Sequence, residues 1–178
     1  MSASEELQDA TPPDPQGDGI LRWMESFASR CASGDISIER AVPEDPATLC
    51  ISPFPRLPPL LSECVTNGVR IQASAVMAPD LTEPTRGIAF VYRIRFSLLA
   101  EDEQQRRGGK VVRSVQLRNR HWIITDGSGQ TSEVSGDAVI GLFPLLTAGG
   151  PVFVYQSMTY HHGPGEGSMR GFFGFVEG

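Results

Sequence analysis

Cysteine is scarce in this chain: Cys31, Cys50 and Cys64 are the only three among 178 residues, and they lie far apart. An odd number without a secretory leader argues against a disulfide framework and for reduced thiols, hence a cytoplasmic or nuclear protein. Their spacing fits no zinc motif, and the adjacent His161 and His162 would point to opposite faces of a strand, a poor metal pair. The N-terminus lacks both the basic start and apolar core of a secretory signal and the Arg-rich, acid-poor character of a transit peptide. Charge is missing from 138–160, but Pro144, Gly149, Gly150 and Pro151 divide that run into short strands, which argues against a membrane-spanning helix. No Gly-x-Ser-x-Gly elbow, Ser/His/Asp set or paired carboxylates can be defended. These absences make the case for an enzyme weak, and no metal or cofactor is expected.

An excess of basic charge is also missing. The net charge is −6, and Glu5, Glu6, Asp9, Asp14 and Asp18 crowd into 1–18 without a Lys or Arg. With those five set aside, 16 acids face 15 bases, so the rest is nearly neutral. A nucleic-acid-binding protein would be more basic. The segment 1–18 is polar, acidic and proline-containing, and is expected to be a disordered tail.

What is present divides the remainder into three parts. Over 19–34, Ile20, Trp23, Met24, Phe27 and Cys31 fall on one helical face, with Asp18 placed to cap the start and Gly34 the end. This amphipathic stripe is expected to pack on a neighbouring domain rather than dock a separate partner. Residues 35–65 form a Pro-rich connector whose Leu49, Ile51, Phe54 and Leu57 serve as apolar anchors. Its Pro43–Pro46 and Pro55–Pro58 spacings also suit a proline-binding groove, though packing is the simpler expectation.

From residue 66 onward the period is two. Val69 to Met77 alternates. Ile88, Phe90, Tyr92, Ile94, Phe96 and Leu98 share one face, with Arg93, Arg95 and Ser97 on a wet outer side. A charged loop is expected over 100–113. Further strands are expected near 114–125, 130–135, 138–142, 152–157 and 169–176. Short strands at this spacing, with 19 glycines and 14 prolines, make the fold class mainly β: a β sandwich preceded by a short N-terminal helix.

Several stretches carry a resemblance. They are Arg120-His121-Trp122-Ile123-Ile124-Thr125-Asp126, Glu133-Val134, Gly136-Asp137-Ala138-Val139-Ile140-Gly141, Pro144-Leu145-Leu146, Phe153-Val154-Tyr155-Gln156-Ser157 and Gly167-Ser168-Met169-Arg170-Gly171. In order and gaps they resemble the ApaG domain over 66–178. The upstream Leu21-Arg22-Trp23, Ile51-Ser52-Pro53-Phe54-Pro55 and Thr66-Asn67-Gly68-Val69 resemble the region before ApaG in eukaryotic F-box/ApaG proteins. The resemblance implies a fibronectin-III/immunoglobulin-like β sandwich that engages protein partners, with ubiquitin-ligase components among them. The helix at 19–33 is too little for an F-box. The closing strand that the family places after its Phe-x-Phe segment is expected to be missing, which would leave an edge unpaired.

Three groups of residues are candidates for binding. The family's glycine-rich turn, discussed as a pyrophosphate site, carries Gly136, Ala138 and Gly141 here; with a methyl group in the middle it suits a tight connection better than a phosphate cradle. Arg106, Arg107, Lys110, Arg113, Arg118 and Arg120 lie in a run without an acid. That run is either a solvated loop or a surface for an acidic peptide or a phosphate, with Arg118 and Arg120 nearer the strand and partly structural. Tyr160 and His161 open an exposed, mobile loop that either edges a recognition surface or simply connects two strands. His121 is expected to be a structural hydrogen-bonding residue. The chain is therefore expected to be a non-enzymatic protein-binding module. The alternatives are a domain that binds a nucleotide or polyphosphate, and a structural subunit of a larger assembly.

Overall fold

The computed structural model describes residues 19–42 and 45–178, with side chains outside 40–47. The acidic tail, the Asp18 cap and the first proline of Pro43–Pro46 lie outside these residues. A helix, α1 (Gly19–Ser33), leads into a hairpin of β1 (Ser37–Val42) and β2 (Asp45–Ser52). Two antiparallel sheets follow. The first runs β3-β4-β5-β9, built from β3 (Ser62–Thr66), β4 (Val69–Met77), β5 (Ile88–Leu98) and β9 (Phe153–His161). The second runs β10-β6-β7, built from β6 (Ser114–Thr125), β7 (Thr131–Asp137) and β10 (Ser168–Glu177), with β8 (Leu145–Thr147) added to β6. A helix of six residues, α2 (Glu101–Arg106), links β5 to β6.

Local chemistry sets these connections. Asn67 and Gly68 both have positive φ, 49° and 81°, which suits the two-residue turn joining β3 to β4. α2 lies within the expected loop because Gln104 is pinned there. Its buried amide donates to the carbonyls of Leu99 (2.6 Å) and Val112 (2.9 Å) and accepts from the Val112 N–H (2.8 Å). One deep side chain thus satisfies three backbone groups that would otherwise lack partners.

The core lies between the sheets. Phe96, Leu117 and Val139 are fully enclosed, with Ile94, Leu98, Leu146 and Tyr155 beside them. Phe96 meets the edges of Phe173 (4.7 Å) and Phe175 (5.7 Å) across the sheet interface. Trp122 is buried, with Tyr92 at 5.9 Å and Phe173 at 5.2 Å. Leu117 and Trp122 are five apart and would face opposite ways in a regular strand. Opposite β10 the register skips from Asn119 to Leu117. The extra residue, Arg118, is a bulge that restores both side chains to the core.

Several expectations are corrected. Residues 138–142 are not a strand. Ala138 and Ile140 have positive φ, 64° and 45°, and the chain turns there, with mutual hydrogen bonds between Val139 and Leu142; the short strand comes later, at β8. The connector holds the β1–β2 hairpin and β3. The apolar stripe of α1 is not packed away: Ile20, Trp23 and Met24 are exposed, and no α1 residue is buried. The hairpin, not the helix, reaches the first sheet, where Glu39 and Ser52 meet Arg93 and Glu39 also meets Arg95. The outer side of β5 is accordingly not wet throughout, since Arg95 is only 4% exposed. Among the described residues no helix is long and apolar enough to cross a membrane.

Candidate functional site

The two sheets part along one side. There β3 forms the edge of the first sheet and β10 the edge of the second, and β10 pairs with β6 alone among the described residues. Between these edges opens a groove of about 930 Å³, within the usual size range of binding sites. Its apolar floor includes Ile71, Ile94, Val115, Trp122, Met169 and Phe173, and Glu63, Lys110, Arg170 and Glu177 stand at its rim. β10 thus presents ten residues of strand edge beside an apolar cleft.

The family-like stretches converge here. Trp122, Met169 and Gly171 all line the groove. A β carbon on Gly171 would collide with the His121 carbonyl and press on the Trp122 ring. Only glycine lets β10 lie this close to β6, which explains why the small-Met-x-Gly pattern ends as it does. Beneath the groove, burial pushes the Tyr155 hydroxyl above its ordinary pKa, so it stays protonated. Neither that hydroxyl nor the Trp122 indole N–H has a hydrogen-bond partner of normal geometry.

The basic run is acid-free in sequence but not in space. Arg106 pairs with Asp102 (3.1 Å), Arg107 with Glu103 (3.6 Å), Lys110 with Glu177 (2.6 Å) and Arg113 with Glu101 (3.3 Å). Of these four bases only Lys110 borders the groove. Arg118 is exposed on its bulge. Arg120 donates to the carbonyls of Asp137 (3.1 Å) and Ala138 (2.8 Å). That contact bears on the glycine-rich turn of Gly136, Ala138 and Gly141. The Ala138 and Val139 N–H groups donate to Arg118 and Leu142 carbonyls, so the turn does not offer these amides to an anion.

Tyr160 and His161 lie at the end of β9, which runs further than the expected 152–157. Arg86 sits over the Tyr160 ring at 5.9 Å. His161 Nε2 contacts the Gly165 carbonyl at 3.0 Å, and Gly165 donates to the Gly127 carbonyl at 3.2 Å. The loop is therefore stapled to the β6–β7 turn, where Asp126 caps Ser128 and Gln130. The Ser128 hydrogen bond leads in holding Asp126 below its ordinary pKa. His121 stacks on Phe172 and hydrogen-bonds Ser135 on the outer face of the second sheet. The described residues contain no cluster of three His, Cys, Asp or Glu side chains suited to a metal.

One set of residues escaped the sequence reading. Glu39 of the hairpin reaches Arg93 and Arg95 of β5, and Arg56 joins them. Arg93 also lies over the Phe54 ring at 4.4 Å and donates to Ser52 at 2.9 Å. The alternation along β5 marks Arg93 and Arg95 as outward-facing, but nothing local in the sequence brings a distant glutamate to them.

Comparison with known proteins agrees with this geometry. Residues 81–177 match the family model described as the ApaG domain. The chain is similar to F-box protein SKIP16 of Arabidopsis thaliana, 37% identical over 94% of this chain and 38% of that protein. It is also similar to Protein ApaG of Anaeromyxobacter dehalogenans, 34% identical over 65% of this chain and 82% of that protein. Among solved structures it is similar to an ApaA protein from Bordetella pertussis, with 29% identity and a TM-score of 0.51 over 61% of this chain and 79% of that one. The chain thus spans well under half the length of the F-box relative.

Proposed function

The chain belongs to the ApaG domain family, and from that premise we propose that it is a non-enzymatic protein-binding module that takes an extended partner segment along β10. One observation carries this reading: a ten-residue strand edge without a second neighbour among the described residues borders a groove of about 930 Å³ with an apolar floor. The edge supplies backbone donors and acceptors for a guest strand, and the groove supplies space for every second side chain. The partner segment would therefore carry apolar residues at alternating positions. Similarity to an F-box protein supports partners among ubiquitin-ligase components or their substrates, in the cytoplasm or nucleus. A nucleotide or polyphosphate at Gly136–Gly141 is less favoured, because the Ala138 and Val139 amides are already engaged.

The test uses a peptide selected by display against the whole chain, with alternating apolar residues. Hydrogen exchange should then show new protection along β10, and Trp122 fluorescence should shift. Binding that protects other strands and leaves β10 exchanging as before would overturn the reading.

A further inference from the structure

Away from the groove, the outer face of the first sheet holds a charge imbalance. Arg56, Arg93 and Arg95 all pair with one carboxylate, Glu39. Among the described residues no other acid pairs with these three, so the group carries a formal excess of two positive charges. Water reaches Arg56, which is 44% exposed, but does little for Arg93 and Arg95, whose side chains are only 12% and 5% exposed and share one carboxylate. Arg95 Nη1, Arg93 Nε and the Ser74 hydroxyl are all buried without a hydrogen-bond partner. Ser74 lies directly across from Arg93 on β4. Buried donors left unpaired and buried charge left unbalanced are both costly, and native proteins seldom tolerate them together.

We propose that Arg56, Arg93 and Arg95, with the hydroxyls of Ser52 and Ser74, form an oxyanion site for a phosphoryl group, which Glu39 fills as a displaceable internal carboxylate. Three lines support this assignment. First, a carboxylate is already present and leaves the excess standing, whereas a phosphoryl dianion in its place brings one more negative charge and a third acceptor oxygen. Guanidinium forks match such a group in pairs. Second, Glu39 sits on a hairpin that forms its own two-stranded sheet, so it can lift without breaking either sheet of the sandwich. Third, the site has an approach. Arg56 is 44% exposed, and with Ser52 it lines a cleft of about 370 Å³ that also includes Arg30 and Asp35, while Arg93, Arg95 and Ser74 lie behind this entrance and not in its lining. Consistent with crowded positive charge, burial and then Arg56 hold the Arg95 guanidinium below its ordinary pKa.

The test follows the arginine Nε–H signals of the whole chain by NMR at pH 7.5 and constant ionic strength. Inorganic phosphate is one titrant, and a short Ala-flanked phosphoserine peptide with its unphosphorylated control is the other. Phosphate or the phosphopeptide should shift the Arg93 and Arg95 signals. Glu39→Gln should tighten binding about tenfold by removing the internal competitor, and Arg56→Gln should weaken it about tenfold. Binding of phosphate alone would identify a free anion as the ligand, and binding of the phosphopeptide a phosphorylated protein segment; either supports the site. Arg93 and Arg95 signals that stay still in both wild type and Glu39→Gln, or that move equally with chloride, would overturn it. The β10 reading is tested on other residues, so either can fail while the other stands.

Discussion

Two basic regions of this molecule reverse each other. The segment 106–113 is dense in sequence, yet its four bases meet four acids from α2 and the C-terminal strand. Arg56, Arg93 and Arg95 are scattered in sequence, yet they meet around a single glutamate. Charge that clusters along a chain is easily neutralised by its folded surroundings, and charge spaced along it can be concentrated by a sheet and a hairpin. The two also differ in depth. Arg106 and Asp102 are each about 70% exposed, so their attraction is screened by water, whereas the Glu39 group sits under the hairpin, where each unpaired charge matters more.

The core sets the scale for both regions. Trp122→Ala removes a large aromatic from between Tyr92 and Phe173 and should cost about 3–5 kcal/mol in urea unfolding. Glu39→Ala comes next, at about 2 kcal/mol, below the ~3–5 kcal/mol of a fully buried pair because the hairpin can lift and let water in. Acid should report the same contact. Burial alone would raise the Glu39 pKa, but Arg93, the Ser37 hydroxyl and Arg95 outweigh it, so the folded value lies below 4.5. A depressed carboxyl pKa gives stability that is present above the ordinary value and lost as pH falls through the folded one. The stability gap between wild type and Glu39→Gln should therefore hold at neutral pH and close below pH 4.5. A gap that does not vary with pH would place Glu39 outside the arginine group in solution. Arg106→Ala should change stability by no more than about 0.5 kcal/mol, as for other exposed ion pairs.

The same contrast explains what was legible in the sequence. β4, β5 and β6 follow from alternation because each turns an apolar face to the other sheet, and that leaves a period of two in the residues themselves. A strand expected over 138–142 comes later, as β8, because Ala138 and Ile140 adopt positive φ in a turn; the glycine-rich stretch Gly136–Gly141, read as a tight connection, pointed to that turn, while the apolar residues within it pointed to a strand. The stripe on α1 was read correctly as a helical face, but amphipathicity does not say what covers that face. The groove was half legible: Trp122, Met169 and Gly171 stood out as a pattern, while their common cleft depends on two strand edges meeting in space. The Arg–Glu39 group was not legible, because its contacts span 17 to 56 residues of chain.

The smallest expected effect concerns the basic segment as a partner surface. Its four bases and their four acidic partners sum to no net charge, which leaves little long-range attraction for an acidic peptide. Reversing the bases to Glu would create a new acidic patch and repel such a peptide whatever the native surface did. Neutral substitutions are the cleaner probe. Arg106, Arg107 and Lys110 replaced together by Gln should change the affinity for a phosphoserine or poly-acidic peptide by less than about twofold, since exposed pairs contribute little. Arg56→Gln, measured beside it in the same titration, should have the larger effect, because its charge belongs to the unbalanced group. A triple variant that weakens binding more than Arg56→Gln does would invert the comparison. Ion pairs at 106, 107 and 110 would then be ones that open to a partner, and Lys110, at the rim of the groove, would be the first place to look.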